Sequence, residues 1–148
     1  MISDLETHLG YWLRFVSNHV SHAFSLKLRA RDVTVAEWVM LRELFDRGGV
    51  PPSALADRLG MTRGAISKLA DRLIAKKFVD RTLSTEDRRQ QTLALTADGR
   101  KLVPSLSALA DRNDAEFFGH LKPSERTVLE KMLRDIVRRH DLKTIPTE

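Results

Sequence analysis

The stretch that decides the fold runs from Arg58 to Lys101 and reads RLGMTRGAISKLADRLIAKKFVDRTLSTEDRRQQTLALTADGRK. It contains 11 Lys or Arg and 5 acidic residues, a local net charge of +6, whereas the whole chain carries +5. The rest of the chain is therefore close to neutral. Positive charge concentrated in one stretch is typical of a surface that binds phosphates.

Within this stretch the pattern predicts a short helix, a glycine turn and a second helix, which is a helix-turn-helix. Pro51 and Pro52 open the first helix, and Gly60 allows it to end in a left-handed turn. The second helix, predicted over about residues 63–76, has one apolar face and one small, polar and basic face. Such a charged face is often only solvated, but the local concentration of charge favours contact with DNA. The predicted contacts are Thr62, Arg63, Gly64, Ser67, Lys68 and Arg72.

Two segments, residues 78–82 and 91–95, are the only ones that the sequence predicts as strands. The polar residues between them predict the tip of a hairpin, or wing, that follows the second helix directly. A tip arginine can enter a minor groove, and an acid two residues earlier can hold its guanidinium in place. The alternative is a solvated loop with an incidental ion pair. The predicted wing contacts are Asp87, Arg88 and Arg89.

Long amphipathic helices are predicted on both sides of this basic module. Apolar residues recur at three- and four-residue steps over residues 4–30. Thr34–Glu37 is a capping box that opens a helix to about Asp46, Thr96 caps a long helix, and residues 122–125 open a last one. One small domain cannot bury all the apolar stripes, so we expect an identical chain to cover them. We therefore predict one domain over residues 1–148, with dimerisation helices over about 4–30 and 97–140 and a DNA-binding lobe over about 34–96.

Aromatic side chains accompany the first helix. Tyr11, Phe15 and His19 lie beside its apolar stripe, and Trp38 lies on the next helix. They either fill the flank of a core or line a pocket for a small aromatic ligand. His19 and His22 have the spacing of two metal ligands, but no third ligand is near them, so we predict no metal site.

Composition excludes several classes of function. The chain has no cysteine, which excludes disulfides, thiolate metal sites, cysteine nucleophiles and thiol-based redox sensing. The N-terminal segment MISDLETHLG resembles neither a signal peptide nor a membrane span, so we expect a cytoplasmic protein without a membrane partner. No nucleophile–base pair, phosphate-binding glycine loop or cluster of metal ligands appears, which predicts neither catalysis nor a cofactor.

The segment DRRQQTLALTADG, residues 87–99, resembles the wing signature of the MarR family of bacterial transcription regulators: Asp-x-Arg, three residues, Leu-x-Leu-Thr, two residues, Gly. Residues 55–60 (LADRLG) and 69–73 (LADRL) resemble the helix-turn-helix of that family, and residues 33–38 (VTVAEW) the start of its second helix. The similarity spans nearly the whole chain. One departure is Lys77, where the family usually has a glycine that ends the recognition helix.

The resemblance implies a mainly α fold with a small β-wing, in which a winged helix-turn-helix lobe joins N- and C-terminal dimerisation helices. It further implies a homodimer that binds double-stranded DNA at a pseudo-palindromic operator. The recognition helices would enter successive major grooves and the wings the flanking minor grooves. Arg89 matches the wing arginine of the family, and Asp87 matches the acid that orients it. Family members are often released from DNA by small phenolic or aromatic-acid ligands.

We accordingly expect a ligand-responsive repressor. Its two recognition helices must stand about 34 Å apart to fit DNA, and an effector near Tyr11, Phe15, His19 and Trp38 would change that spacing. The closest alternative is a DNA-binding regulator without an effector. A winged helix that contacts protein or RNA is the other alternative, and weak duplex binding without sequence preference would favour it.

Overall fold

The computed structural model describes residues 1–83 and 91–143, and within them it contains six α-helices and one two-stranded antiparallel sheet. The elements are α1 (Leu9–Arg29), α2 (Val35–Phe45), α3 (Pro52–Leu59), α4 (Arg63–Ala75), β1 (Val79–Leu83), β2 (Gln91–Leu95), α5 (Ala97–Phe118) and α6 (Pro123–Arg139). The predicted fold class, mainly α with a small β-wing, is confirmed. The predicted wing contacts Asp87, Arg88 and Arg89 lie outside the described residues. None of the helices in the described ranges has the length and apolar character needed to cross a membrane.

Three threonines begin helices in the way that the sequence predicts. The side chains of Thr34, Thr62 and Thr96 each accept a hydrogen bond, at 3.0–3.1 Å, from the main-chain N–H three residues later. Each thereby satisfies one of the amide groups that a helix leaves without a partner in its first turn. At Thr34 the box is complete, because the Glu37 carboxylate accepts from the Thr34 N–H at 2.8 Å.

The N-terminal segment differs from the prediction of one helix over residues 4–30. Leu5–Thr7 forms a short 3-10 turn, His8 has an extended backbone, and α1 begins at Leu9. Side chains compensate for the break: the Thr7 hydroxyl donates to the carbonyl of Asp4 at 2.6 Å, and the Trp12 indole donates to a nearby main-chain carbonyl. Such local side-chain bonds compete with helical ones. The apolar pattern continues across the break and therefore did not predict it.

The wing sheet is joined to the helical part of the lobe. β1 and β2 pair in antiparallel register from Val79 opposite Leu95 to Leu83 opposite Gln91. Val50, which follows α2, exchanges both main-chain hydrogen bonds with Leu93 of β2, at 2.8 and 2.9 Å. The root of the wing is thus held by the segment that leads into α3.

The hydrophobic core lies where α2, α3, α4 and the sheet meet the first half of α5. Among the described residues, Leu28 is the one fully buried side chain of α1, Phe24 packs partly buried against the core, and α6 contributes no fully buried side chain. The largest fully buried apolar side chains are Leu28, Met40, Leu41, Leu44, Leu55, Ile66, Leu73, Leu93 and Leu106. The lobe with α2–α4 and the wing therefore has its own core, whereas the two terminal helices extend from it.

Both terminal helices leave apolar side chains in solvent. On α1 these include Leu9, Leu13 and Val16, and on α6 they are Val128, Leu129, Met132, Leu133, Ile136 and Val137. Between α1, the end of α5 and α6 lies an open apolar groove of about 620 Å³. An apolar surface of this extent is typical of an interaction site.

The end of α4 shows how the chain does without the expected glycine. Lys77 has φ of 66°, in the left-handed region, so a lysine occupies the conformation that glycine adopts most easily. The N–H of Phe78 donates to the carbonyl of Leu73 at 3.0 Å, and the N–H of Lys77 donates to that of Ile74 at 2.9 Å. These two bonds form a Schellman motif, so the departure from the family pattern leaves the geometry of the helix end intact.

Replacing Lys77 with glycine should raise the free energy of unfolding by about 0.5–1 kcal/mol, because it removes the steric cost of the left-handed conformation. Chemical denaturation of the two proteins measures the difference. Lys77→Ala is the matched control: it removes the same charged side chain but retains the Cβ, and it should leave stability nearly unchanged. Equal stabilisation by both substitutions would show that the lysine charge, and not its backbone, is the cause.

Candidate nucleic-acid interface

The outer face of α4 is the candidate surface for contact with a nucleic acid. Apolar residues of α4 are buried against the core: Ile66, Leu69, Ala70 and Leu73. On the opposite side, the N-terminal half of the helix is exposed, with small and basic residues at helical spacing. The structure places five of the predicted contacts together on this face: Thr62, Arg63, Gly64, Ser67 and Lys68.

Gly64 leaves the surface at the start of α4 without a projecting side chain. A Cβ atom at this position would have only the Thr62 hydroxyl near it, at 4.0 Å, so neither packing nor backbone conformation requires glycine here. An exposed glycine lowers the stability of a helix. The absence of a structural reason for Gly64 is consistent with a role in close approach to base edges.

Many of the basic side chains in the stretch from Arg58 to Lys101 form ion pairs or hydrogen bonds within the protein. Five of the basic residues between positions 58 and 101 bind acidic side chains or main-chain carbonyls: Arg58, Arg72, Lys76, Arg81 and Arg100. Arg63 and Lys68 form no hydrogen bond or ion pair with any residue in 1–83 or 91–143. The charge on α4 that remains for phosphates or bases is therefore concentrated at its N-terminal half. Sequence reasoning missed this division, since the partners are far apart in the chain.

One acidic side chain also lies on α4. The carboxylate of Asp71 is 63% exposed and accepts from the Arg81 guanidinium of β1 at 2.9 Å. This ion pair joins the recognition helix to the wing. Its contribution to stability should be small, because both groups are solvated.

Arg72 has a different environment from the other predicted contacts. Its guanidinium turns towards the start of α2, where Nη2 donates to the Thr34 hydroxyl at 3.2 Å and lies 3.4 Å from Oε1 of Glu37. The side chain is nevertheless half exposed. Its predicted contact with DNA stays a prediction.

Glu37 is the one fully buried acidic side chain in the described residues. Besides Thr34 and Arg72, its carboxylate contacts the Lys76 ammonium, which lies 3.2 Å from Oε1 and 3.1 Å from Oε2. Burial by itself would raise the pKa of Glu37, but the hydrogen bond from the Thr34 amide and the contacts of Lys76 outweigh it, so the pKa lies below its ordinary value of 4.5. The group is therefore ionised at neutral pH.

The lowered pKa of Glu37 predicts a loss of stability in acid. Because the carboxylate binds protons more weakly in the folded than in the unfolded chain, its contribution is complete above about pH 4.5 and disappears as the pH falls through the folded pKa. Urea unfolding from pH 7 to pH 3 should show this decline. The free energy of unfolding of the Glu37→Gln variant should decline less over the same pH range, because glutamine does not titrate. Identical pH dependence in the two proteins would contradict the prediction.

The four predicted ligand contacts do not lie in one place. Along α1 the rings of Tyr11 and Phe15 meet edge to face, with centroids 6.1 Å apart, and Phe15 stacks on His19 at 5.2 Å. Trp38 instead packs edge to face against Phe24, at 6.3 Å. Phe24 is nine residues beyond Phe15, which is about 14 Å along a helix. Tyr11, Phe15 and His19 therefore form one aromatic group on α1, whereas Trp38 contacts Phe24 further along that helix. The prediction that these four residues bind a ligand stays a prediction.

His19 and His22 of α1 are the pair whose spacing would suit two metal ligands. No group of three or more His, Asp or Glu side chains suited to a metal ion occurs within residues 1–83 and 91–143.

Comparison with known proteins assigns this architecture to a family. Residues 31–90 match the family model described as MarR family. The chain is also 30% identical, over 115 residues, to a candidate transcriptional regulatory protein for the hcr operon of Thauera aromatica, covering 74% of this chain and 69% of that protein. The chain belongs to the MarR family. The resemblance stated from the wing and helix motifs is thereby confirmed.

A further curated relative is also a transcriptional regulator, and two solved structures share the fold. The transcriptional regulator HosA of Escherichia coli O157:H7 is 24% identical over 106 residues, which cover 72% of this chain and 78% of HosA. The chain is similar to the structure of BpsR from Bordetella bronchiseptica, whose DNA binding is regulated by 6-hydroxynicotinic acid. The TM-score is 0.79 at 25% identity, and the match covers 92% of this chain and 97% of BpsR. A Staphylococcus aureus MepR–DNA complex has a TM-score of 0.81 at 23% identity, with 89% and 98% covered. The family is one of DNA-binding transcriptional regulators, and this chain is a regulator of that type.

Proposed function

We propose that this MarR-family chain is a homodimeric repressor that binds a pseudo-palindromic operator on double-stranded DNA in the cytoplasm. One observation carries the proposal: the exposed half of α4 combines two basic side chains that have no partner among residues 1–83 and 91–143, Arg63 and Lys68, with the small residues Gly64 and Ser67. In a major groove, arginine and lysine donate to guanine edges or phosphates, and small residues permit close approach.

The homodimer is supported by the apolar surface that α1 and α6 leave uncovered. A single copy contains no element that packs on these faces in the part of the chain that the structure describes. A second copy related by twofold symmetry would bury both sets of side chains at once and would give the two α4 helices that a palindrome requires. The division into terminal dimerisation helices and a central DNA-binding lobe is part of this proposal, and it agrees with the position of the buried core.

The wing is proposed to reach the minor groove. Arg89, oriented by Asp87 and assisted by Arg88, would supply that contact as the family resemblance implies. The root of the wing is firmly paired, with the hydroxyls of Thr82 and Thr92 2.7 Å apart across the two strands. The wing contacts themselves remain predictions.

Regulation by a small aromatic or phenolic effector is also proposed. The structural relative BpsR is regulated by 6-hydroxynicotinic acid, which supports the same class of ligand here. Of the residues first predicted to line such a site, Tyr11, Phe15 and His19 form one continuous aromatic face on α1, and Trp38 would act separately. A regulator without an effector is the second candidate, since Trp38 packs against Phe24 and is not part of the aromatic face that Tyr11, Phe15 and His19 form.

A selection from random duplexes tests DNA recognition. The wild-type protein should enrich a pseudo-palindromic sequence and bind it as a dimer, with much weaker binding to a scrambled duplex. Arg63→Ala should weaken the selected complex by about 1–3 kcal/mol if Arg63 reads a base. Arg134→Ala is the control and should leave binding unchanged, because Arg134 lies in α6, where its guanidinium pairs with Glu130, and is none of the predicted DNA contacts. Equal affinity for selected and scrambled duplexes would contradict sequence-specific recognition.

The wing and the effector are tested with the same duplex. Arg89→Ala should weaken binding and lower the salt dependence if its guanidinium lies in the minor groove. Saturation with aromatic carboxylates and phenols should weaken the wild-type complex, and Phe15→Ala should reduce that response. If no such compound changes operator affinity, the regulator without an effector becomes the supported function.

A further inference from the structure

The cluster around Glu37 links three elements at one buried point. Glu37 lies in the first turn of α2, Arg72 lies on α4, and Lys76 is the residue that follows α4. The carbonyl of Asp32, in the turn after α1, accepts from the Lys76 ammonium at 2.7 Å. Thr34 takes part twice, because its hydroxyl caps α2 and also accepts from Arg72. The capping box of one helix thus serves as the attachment site of another.

The geometry on α4 determines what this attachment does. Arg72 and Lys76 are four residues apart, so they lie on one flank of the helix, beside the buried face and not at the centre of the exposed one. Both side chains reach the same carboxylate, at 3.4 Å for Arg72 and 3.1–3.2 Å for Lys76. Two contacts one helical turn apart therefore add to the buried apolar face of α4 in fixing the rotation of the helix about its axis.

The charges have a second consequence. A buried carboxylate that is fully ionised holds its cationic partners strongly, because the alternative is an unpaired charge away from water. While Glu37 is ionised, Arg72 and Lys76 are occupied and do not add to the phosphate-binding charge of α4. Phosphate contacts raise affinity for all sequences alike, whereas orientation of the recognition helix raises it for the correct sequence.

We propose that Glu37 is a positioning residue for DNA recognition: through Arg72 and Lys76 it fixes the orientation of α4 and withholds two cations from non-specific phosphate contacts. This inference rests on the proposed function, since it requires that α4 reads DNA. It assigns Arg72 an intramolecular role in place of the direct DNA contact predicted from the sequence.

Glu37→Gln tests the proposal because glutamine retains the shape and one acceptor for the Thr34 amide but removes the charge. Binding to the selected and scrambled duplexes is measured across a range of salt concentrations. The ratio of the two affinities should fall at least tenfold, and the salt dependence of non-specific binding should become steeper by about 1–2 in log–log slope as the two cations reach phosphates. Glu116→Gln, which breaks an ion pair with Lys27 away from α4, is the control and should change neither quantity.

A purely structural role for Glu37 predicts a different result. A variant that is only less stable loses active protein, so both affinities fall by the same factor and the salt slope is unchanged. An unchanged affinity ratio and slope in folded Glu37→Gln therefore overturn the inference. If the wild-type protein itself fails to distinguish the two duplexes, the proposed function fails and the inference fails with it.

Arg72→Gln gives a test that does not depend on the folding of Glu37→Gln, because Lys76 still pairs with the buried carboxylate. Under the inference Arg72 is occupied, so Arg72→Gln should leave the salt slope of the wild type unchanged while lowering the affinity ratio. In the Glu37→Gln background the same substitution should reduce the slope by about 1. A slope lowered by about 1 in the wild-type background would overturn the inference and support a direct phosphate contact.

Discussion

Gly99→Ala is expected to lower the free energy of unfolding by about 3 kcal/mol or more, the upper part of the range for overpacking a rigid site. A Cβ atom at Gly99 would lie 2.2 Å from the carbonyl oxygen of Phe78, and backbone cannot move aside as a flexible side chain can. The first turn of α5 lies directly against the backbone of Phe78, the residue before β1. Thermal and urea unfolding measure the loss, and the circular dichroism of the folded fraction shows whether the helices persist.

Gly64→Ala is the matched control for this prediction. Gly64 is also in the first turn of a helix, but a Cβ there meets open space, so the substitution should stabilise the protein by about 0.5 kcal/mol. The same variant should weaken DNA binding if α4 approaches base edges at this point. If Gly99→Ala has the same free energy of unfolding as Gly64→Ala, the close approach of α5 to Phe78 does not require glycine at position 99.

The close contact explains a family feature in physical terms. Gly99 is the last residue of the wing signature. Thr96, three residues earlier, also contacts the segment between α4 and β1. Its hydroxyl donates to the carbonyl of Lys77 at 2.8 Å and accepts from the Gly99 N–H at 3.0 Å. The Thr-x-x-Gly pattern therefore joins the end of the recognition helix to the start of the helix that leads out of the lobe.

Leu133→Glu is expected to convert the protein to a monomer and to reduce operator affinity by at least about 100-fold, since one half-site would then be bound without the other. Leu133 lies on the exposed apolar face of α6 and lines the groove beside α1. A carboxylate buried there without a partner would oppose association. Light scattering coupled to size-exclusion chromatography measures the mass, and duplex binding measures the affinity.

Lys131→Glu makes a larger charge change on the opposite side of the same helix and should leave the mass and the operator affinity nearly unchanged. The central lobe should remain folded in both variants, because α6 adds no fully buried side chain to the core among the described residues. A Leu133→Glu protein that remains a dimer with full operator affinity would show that α6 does not form the proposed interface.

Many features of this protein were determined by local sequence. The helix caps at Thr34, Thr62 and Thr96, the left-handed turn at Gly60 and the two wing strands follow from interactions among residues that are near in the chain. The apolar periodicity also indicated which helices would lack partners within one chain. These predictions held because hydrogen bonding in a first turn and the spacing of side chains on a helix act over only a few residues.

The contact partners of the charged and aromatic side chains depend on the tertiary structure. The sequence counted Arg72 and Lys76 as part of one basic surface, but packing of α4 against α2 brings them to Glu37, about 35–40 residues earlier in the chain. The packing of α2 against α1 likewise brought Trp38 beside Phe24, 14 residues earlier in the chain. Composition and periodicity determine which residues can bind a phosphate or line a pocket. Which of them remain free to do so depends on contacts between distant segments, which form only when the chain folds.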